Sequence, residues 1–461
     1  MRWNGSVRAM IVASVAAALC LAVAASPVGA QSSSANGRPG VTTTTIRVGG
    51  MAGITNPVGQ PYVSGFDGLQ AYFNYINSKG GVYGRKFQLV AKLDDQSRAS
   101  QDLEEARSLV EEQHVFAVAP VVTQIFAGAS YLAGKGVPTF GWNIDAGWQS
   151  GYPTPGQVNP SGGMGAANLF GEKGSFLCFV CPAEAPAYIA QQIGAKNVAI
   201  LAYTASQSAQ CAQGEEAGFK KYGLNVALVD SSLAFGFTDL GSDIDQMKSK
   251  NVQFVATCMD VSGEVNVARD LQRAGLTSVK FYAPQGYDPG TLSKYGQELN
   301  GIYFGIDFVP FEDASQSSEM QLFMKWMNAE HKPINEQALS GWINGDLLYK
   351  GIKKAGKDFS QASVVAAING FNGYTANGLR PPINWSFDGH KPGTEACTAY
   401  VEVVNGKFTP QFGQPGQPFV CNRDNPLPDA LDSTTLYYRP PLASATLPPT
   451  ATVPSTAPPQ P

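Results

Sequence analysis

Residues 65–95, GFDGLQAYFNYINSKGGVYGRKFQLVAKLDD, restrict the fold more than any other stretch of this chain. Phe66, Leu69, Phe73 and Ile76 recur at helical spacing, which predicts a helix of about three turns with one buried face. Ser78, Lys79, Gly80 and Gly81 end it, the glycines offering the left-handed backbone that a helix terminus favours. Phe87, Leu89, Ala91 and Leu93 then alternate with Gln88, Val90 and Lys92, the period of a strand. Upstream, residues 46–51 (IRVGGM) read as another strand. Strand, glycine-containing loop, helix and strand in that order predict a parallel sheet.

The chain has 461 residues, enough for two ordinary domains or one large divided one. Hydrophobic residues make up 44% and charged residues 15%, which supports large buried cores and is low for a cytosolic housekeeping enzyme. A net charge of −4 argues against nucleic acid, whose phosphates require a basic stripe. No run of like charges suggests a polybasic membrane contact.

The N-terminus reads as an export signal over residues 1–30. Arg2 and Arg8 form a basic region, residues 10–25 are apolar, and Val28-Gly29-Ala30 is a small-residue cleavage site. The apolar run is short for a membrane span. Cys20 lies inside it, after Leu19 rather than a small residue, and reads as part of the signal and not as a lipidation site. Six cysteines then remain in the exported chain: Cys178, Cys181, Cys211, Cys258, Cys397 and Cys421. An even number in this setting suggests disulfides. Cys397 and Cys421 stand apart from the others and are expected to pair. Cys178-x-x-Cys181 reads as a structural bridge or a redox pair, and the remaining connectivity stays open.

Residues 31–44 form a Ser/Thr/Gly-rich linker. After the opening unit, Ser100 caps a helix carrying Asp102, Glu104 and Glu105 in its first turn, with Leu103, Ala106 and Val110 as its apolar stripe. Residues 115–119 predict a strand, 126–133 a helix and 137–140 a strand. Residues 142–175 read as loop. A second alternating series follows, with helices at 188–193, 215–222, 240–250 and 264–274, and strands at 197–203, 225–230, 252–259 and 279–283. Two similar alternating blocks joined by a loop predict two doubly wound α/β lobes. Residues 301–309 predict a strand, 320–330, 339–354 and 364–368 helices. Residues 400–404, Asn405-Gly406 and Lys407 onward predict a hairpin, since Asn-Gly favours the type I′ turn. The Pro-rich stretch after Tyr438 predicts a disordered tail, placed at 431–461 in the domain scheme.

Signatures of catalysis are missing. His114, His331 and His390 are the three histidines, scattered without a Ser, Cys or carboxylate partner at a recognisable spacing. No nucleophile elbow, zinc-protease motif or phosphate-binding loop occurs. Gly49-Gly50-Met51-Ala52-Gly53 fails the dinucleotide spacing, and Gly162-Gly163-Met164-Gly165 follows a loop instead of a strand. Asp94-Asp95 reads as a strand-end turn in preference to a metal site. Neither enzyme activity nor a cofactor is expected.

The segment Ile76-Asn77-Ser78-Lys79-Gly80-Gly81-Val82, then Gly84 and the strand ending Asp94-Asp95, resembles the signature of type I periplasmic binding proteins. The closest branch is the leucine/isoleucine/valine-binding proteins of ABC importers. Further likeness lies in Gly136-Val137-Pro138, Gly218-Phe219-Lys220-Lys221, Ala274-Gly275-Leu276, Pro284-Gln285-Gly286 and Asn405-Gly406-Lys407. The resemblance covers residues 45–412. It implies two Rossmann-like lobes joined by a three-strand hinge, one from 45–176 and 312–380, the other from 177–311 and 381–430. Hinge crossings are then expected at 176–181, 306–311 and 380–383.

The resemblance also implies a ligand between the lobes, at the C-terminal ends of the strands. Thr123 matches the hydroxyl that relatives use for a ligand carboxylate, although Pro120 has no N–H to offer. Asn143 and Asp145, beside Trp142, fall where amino-acid binders place polar contacts. Tyr203, Gln207, Asp260, Gln285 and Tyr287 occupy equivalent strand ends in the second lobe. Gln285 departs from the pattern, because relatives commonly carry an acid there. Either Asp145 or Asp260 neutralises a ligand ammonium, or the ligand is not an α-amino acid. Trp142 and Trp148 either clamp an apolar or aromatic ligand or pack a lobe surface.

The expected protein is therefore an exported, monomeric solute-binding protein of an ABC importer. It would carry a branched-chain amino acid or a related amino acid, amide or carboxylate to a membrane permease. The alternative is an extracytoplasmic sensing module acting through a separate membrane receptor.

Overall fold

The computed structural model describes residues 38–149, 166–171, 184–383, 385, 397–421 and 437–438. The export signal with Cys20, the first half of the linker, Cys178 and Cys181, the crossing at 176–181, His390 and the tail beyond Tyr438 lie outside the described residues.

The opening unit forms as its periodicity predicts. β1 (Thr45–Ala52) and β2 (Lys86–Asp94) pair in parallel, with α1 (Ser64–Ser78) between them in sequence. Phe66, Leu69, Phe73 and Ile76 are all buried, each worth roughly 1.5–3 kcal/mol of apolar transfer. Phe73 stacks on Phe87 with ring centres 4.8 Å apart. Asn77 fixes the helix to the strand: its Nδ2 donates to the Phe87 carbonyl at 2.8 Å, and its Oδ1 accepts the Phe87 N–H at 2.9 Å. β2 is an edge strand, so Phe87 and Ala91 are buried while Leu89 and Leu93 stay half-exposed.

α2 (Ala99–Glu111), β3 (Ala117–Val122), α3 (Ala129–Lys135), β4 (Thr139–Gly141) and β5 (Leu169–Gly171) complete the first sheet, in the order β2-β1-β3-β4-β5. Every residue of β3 is buried, the pattern of a central parallel strand. The expected strand at 115–119 is thus shifted, and Pro120, Val121 and Val122 belong to it, not to a loop. Pro120 is tolerated because the ladders to both neighbours slip register around it. The stretch 142–175, read as loop, contributes β5 and a short 3-10 turn at Ala146–Gln149. The helix expected from 126 starts only at Ala129, since Phe126 turns inward against Trp148.

The second sheet collects β6 (Asn197–Tyr203), β7 (Asn225–Leu233), β8 (Phe254–Cys258), β9 (Lys280–Tyr282), β10 (Ile302–Ile306), β11 (Cys397–Val404), β12 (Lys407–Gln411), β13 (Phe419–Cys421) and β14 (Tyr437–Tyr438). Strands β6 to β10 pair in parallel; β11 joins antiparallel and turns into β12 through Asn405-Gly406. Both turn residues have positive φ, 51° and 70°, as a type I′ turn requires. The helices of this lobe are α4 (Glu184–Gln192), α5 (Ser206–Lys221), α6 (Gly241–Ser249), α7 (Val261–Arg273) and α8 (Pro289–Tyr295). α8 escaped the sequence reading, although Asp288 caps it and Pro289 opens it. The expected disulfide Cys397–Cys421 joins directly paired positions of β11 and β13, and a second, Cys211–Cys258, ties α5 to the end of β8.

After β10 the chain returns to the first lobe as α9 (Ser318–Ala329), α10 (Glu336–Ala355) and α11 (Gln361–Asn369). The strand expected to reach 309 ends at Ile306, where residues 307–311 begin to cross. α10 crosses α1 so closely that a Cβ on Gly68 would fall 1.7 Å from the Ala338 carbonyl oxygen. Trp342 meets Tyr72 edge-on at 5.0 Å. Two of the expected crossings run side by side: Val309 N–H donates to the Leu379 carbonyl at 2.8 Å, and Asp307 pairs with Arg380 at 3.3 Å.

Candidate ligand-binding cleft

Parallel strands in both lobes end on one side of their sheets, so the loops after them converge. In the first lobe β1 runs into the loop that carries Tyr62, β2 ends on Asp94-Asp95, β3 on Thr123, and β4 on Trp142 to Asp145. In the second, β6 ends on Tyr203, β8 leads into Asp260 at the cap of α7, and β9 leads to Gln285.

The two sets touch. Gln207 Nε2 in the second lobe donates to Asp145 Oδ2 in the first at 3.3 Å. Tyr62, fully buried with its ring 5.5 Å from Trp142, lies in the combined field of Asp260, Glu336 and Asp95. Burial and then those carboxylates push its phenol far above the ordinary range, so it stays a neutral hydroxyl.

Most of the expected site residues have local duties as well. Asp145 Oδ1 accepts the N–H groups of Phe126 at 3.2 Å and Gly147 at 2.7 Å, which shapes its own loop. Asp260 caps α7 by accepting Ser262 N–H at 3.1 Å, and its other oxygen accepts the Tyr203 hydroxyl at 2.5 Å. Burial and that bond raise the Tyr203 phenol. Thr123 is buried beside Asp95, and its Oγ1 accepts Ile125 N–H at 3.3 Å. Trp142 donates its indole N–H to Glu336 Oε1 at 3.0 Å, in the first turn of α10. Asn143 is half-buried, packed against Gly171 of β5. Gln285 is buried with its Oε1 accepting nothing. Tyr287 stands apart from this group. Its hydroxyl donates to Glu312 and accepts Phe311 N–H at 2.8 Å, and its ring stacks on Phe311 among Phe304, Phe308 and Phe408. Trp148 also turns away, into the first lobe's core against Phe126.

Three residues of the cleft were not singled out from sequence. Tyr62 sits in a loop without period. Glu264, one turn into α7, is fully buried; desolvation first, and Asp260 second, raise its pKa well above the ordinary range. Asp95, noted only as part of a turn, has no exposed surface, and burial pushes it up to about 6 despite the Ser97 N–H at 2.7 Å. Its neighbour Asp94 does form the expected turn, accepting Thr55 and Gln96 N–H groups at 3.0 Å each. Among the described residues one group has metal-ligand proximity, Cys211, Glu215 and Cys258, and its cysteines are joined in a disulfide. No helix of the described residues is long and apolar enough to cross a membrane.

A family model described as "Periplasmic binding protein" matches residues 45–407. The fold is similar to a type 1 periplasmic binding protein from Bordetella pertussis Tohama I, at 17% identity and a TM-score of 0.63, over 80% of this chain and 99% of the other. It is also similar to a branched-chain amino acid ABC transporter protein from Thermus thermophilus with bound valine, at 15% identity, a TM-score of 0.63, and 80% and 96% coverage. A third likeness is to a solute-binding protein from R. palustris in complex with benzoate, at 19% identity, a TM-score of 0.61, and 82% and 98% coverage. No curated protein matches the chain significantly.

Proposed function

Because the chain belongs to the periplasmic binding protein family, we propose that it is the extracytoplasmic substrate-binding protein of an ABC importer. It captures one small organic solute between its lobes and delivers it to a membrane permease, as a monomer released from the export signal at residues 1–30. The lobes comprise 45–176 with 312–380, and 177–311 with 381–430. Valine and benzoate, bound in two of the similar structures, support a small organic solute, whose class the charge of this chain's own cleft decides. The carrying observation is the Gln207–Asp145 hydrogen bond, which joins the first turn of α5, after β6, to the loop after β4 in the opposite lobe. Such a cross-lobe contact supports capture by hinge closure, with the paired crossings at Asp307 and Arg380 as the pivot.

The test is import. Cells lacking this chain lose ATP-dependent uptake of the solute that co-purifies with it. The wild-type chain restores uptake, whereas Asp260→Ala does not. Uptake unaffected by the deletion rejects the proposal.

A further inference from the structure

The carboxylates of the cleft have an unusual charge balance. Asp95, Asp145, Asp260 and Glu264 gather there, all nine-tenths or more buried. Among the described residues none of the four is paired with a lysine or arginine; every ion pair there involves other acids. Their hydrogen bonds come from neutral donors: backbone N–H groups, the Tyr203 hydroxyl and the Gln207 amide.

The unmet groups point the same way. Asp95 Oδ2, Glu264 Oε1 and Gln285 Oε1 are buried oxygens without a well-formed partner, from both lobes, with the Thr123 hydroxyl the polar neighbour of Asp95. The Tyr62 hydroxyl is likewise buried and lacks a well-formed partner, with the Gln124 amide its polar neighbour. Buried polar groups are ordinarily satisfied, so the cleft calls for a guest that brings several donors. An ammonium or guanidinium brings donors only, and it also offsets the carboxylate charge. A ligand carboxylate would bring acceptors and negative charge to a site that already has both. Aromatic faces border the acids. Tyr62 lies against Trp142, and Tyr203, bonded to Asp260, carries the exposed Phe235 at 5.3 Å. Such rings favour an organic cation through their quadrupoles.

We propose that the cleft selects a solute of net positive charge, an amine or guanidinium compound without a carboxylate, with Asp260 and Asp95 as its anionic contacts. The proposal rests on the interlobe cleft being the capture site.

The experiment uses the full chain and two matched pairs, isobutylamine against L-valine and benzylamine against benzoate, in which the partners differ chiefly in the charged group. Titration calorimetry should show each amine binding at least about tenfold more tightly than its acid partner. Asp260→Asn and, independently, Asp95→Asn should narrow that preference, with thermal unfolding checking that each variant is folded. Asp145→Asn serves as a third variant should either fail to fold. Equal or tighter binding of L-valine or benzoate overturns the charge assignment but leaves solute capture standing. Absence of binding by both amines overturns the assignment too, and capture is then judged separately by the import test.

Discussion

The Gln207 amide and the Asp145 carboxylate, 3.3 Å apart, belong to different lobes, so the proposed hinge opening would break their hydrogen bond. Gln207→Ala removes it at a cost of about 1 kcal/mol to the closed form. The expected outcome is a larger radius of gyration in small-angle scattering without ligand and a roughly fivefold weaker solute affinity. An unchanged radius and affinity would mean that the bond does not contribute to closure.

Asp145 itself is expected to behave differently. It accepts two backbone N–H groups of its own lobe, so Asp145→Ala leaves Phe126 and Gly147 amides unpaired. A stability loss of about 1–3 kcal/mol in urea unfolding should accompany any loss of binding. Asp145→Asn keeps an acceptor and should recover most of that loss.

The crossing segments are held by Asp307 and Arg380, whose side chains are 14% and 6% exposed. Arg380→Met strands a largely buried carboxylate and should cost about 3–5 kcal/mol. Joint replacement, Asp307→Leu with Arg380→Met, should cost less than the single change in chemical denaturation, because the Asp307 carboxylate is then not left buried without its cation.

Asp102 provides a pH signature. It lies fully buried on α2, and burial raises it to about 8 although Oδ1 accepts Gly128 N–H at 2.7 Å. A carboxyl raised on folding binds its proton more tightly in the native state. Its contribution is therefore fully present below the unfolded value near 4 and is lost as pH rises towards about 8. Asp95, raised to about 6, adds to the same decline over the lower part of that window. Unfolding free energy measured from pH 4 to pH 8 should fall, and Asp102→Asn should flatten the slope. A slope unaffected by the substitution would contradict the assignment.

The scaffold was more legible than the site. Residues 65–95 announce strand, helix and strand because burial on one face imposes a period, and Asn77 shows why its turn is so particular: its amide brackets Phe87. Asn405-Gly406 was readable for the same local reason, the backbone signs a tight turn needs. Strand ends were less accurate. A continuous apolar run carries no marker of where pairing stops, so the strand expected at 115–119 in fact runs through Pro120 to Val122. Site chemistry is less legible still, since it depends on which loops meet. Asp260 acts on Tyr62 of the other lobe, whereas Tyr287, two residues beyond Gln285, spends its hydroxyl on Glu312 and Phe311. Tyr62 and Glu264 acquire their setting only from the opposing lobe or from burial, and nothing in their sequence neighbourhoods carries a period or motif for it.

Solute capture between the lobes is tested most directly by native mass spectrometry of the protein purified from its own host. A single small non-covalent adduct per chain is expected, and it should be lost in Asp260→Ala while the fold is retained. An adduct kept at full occupancy by that variant would contradict binding at the cleft.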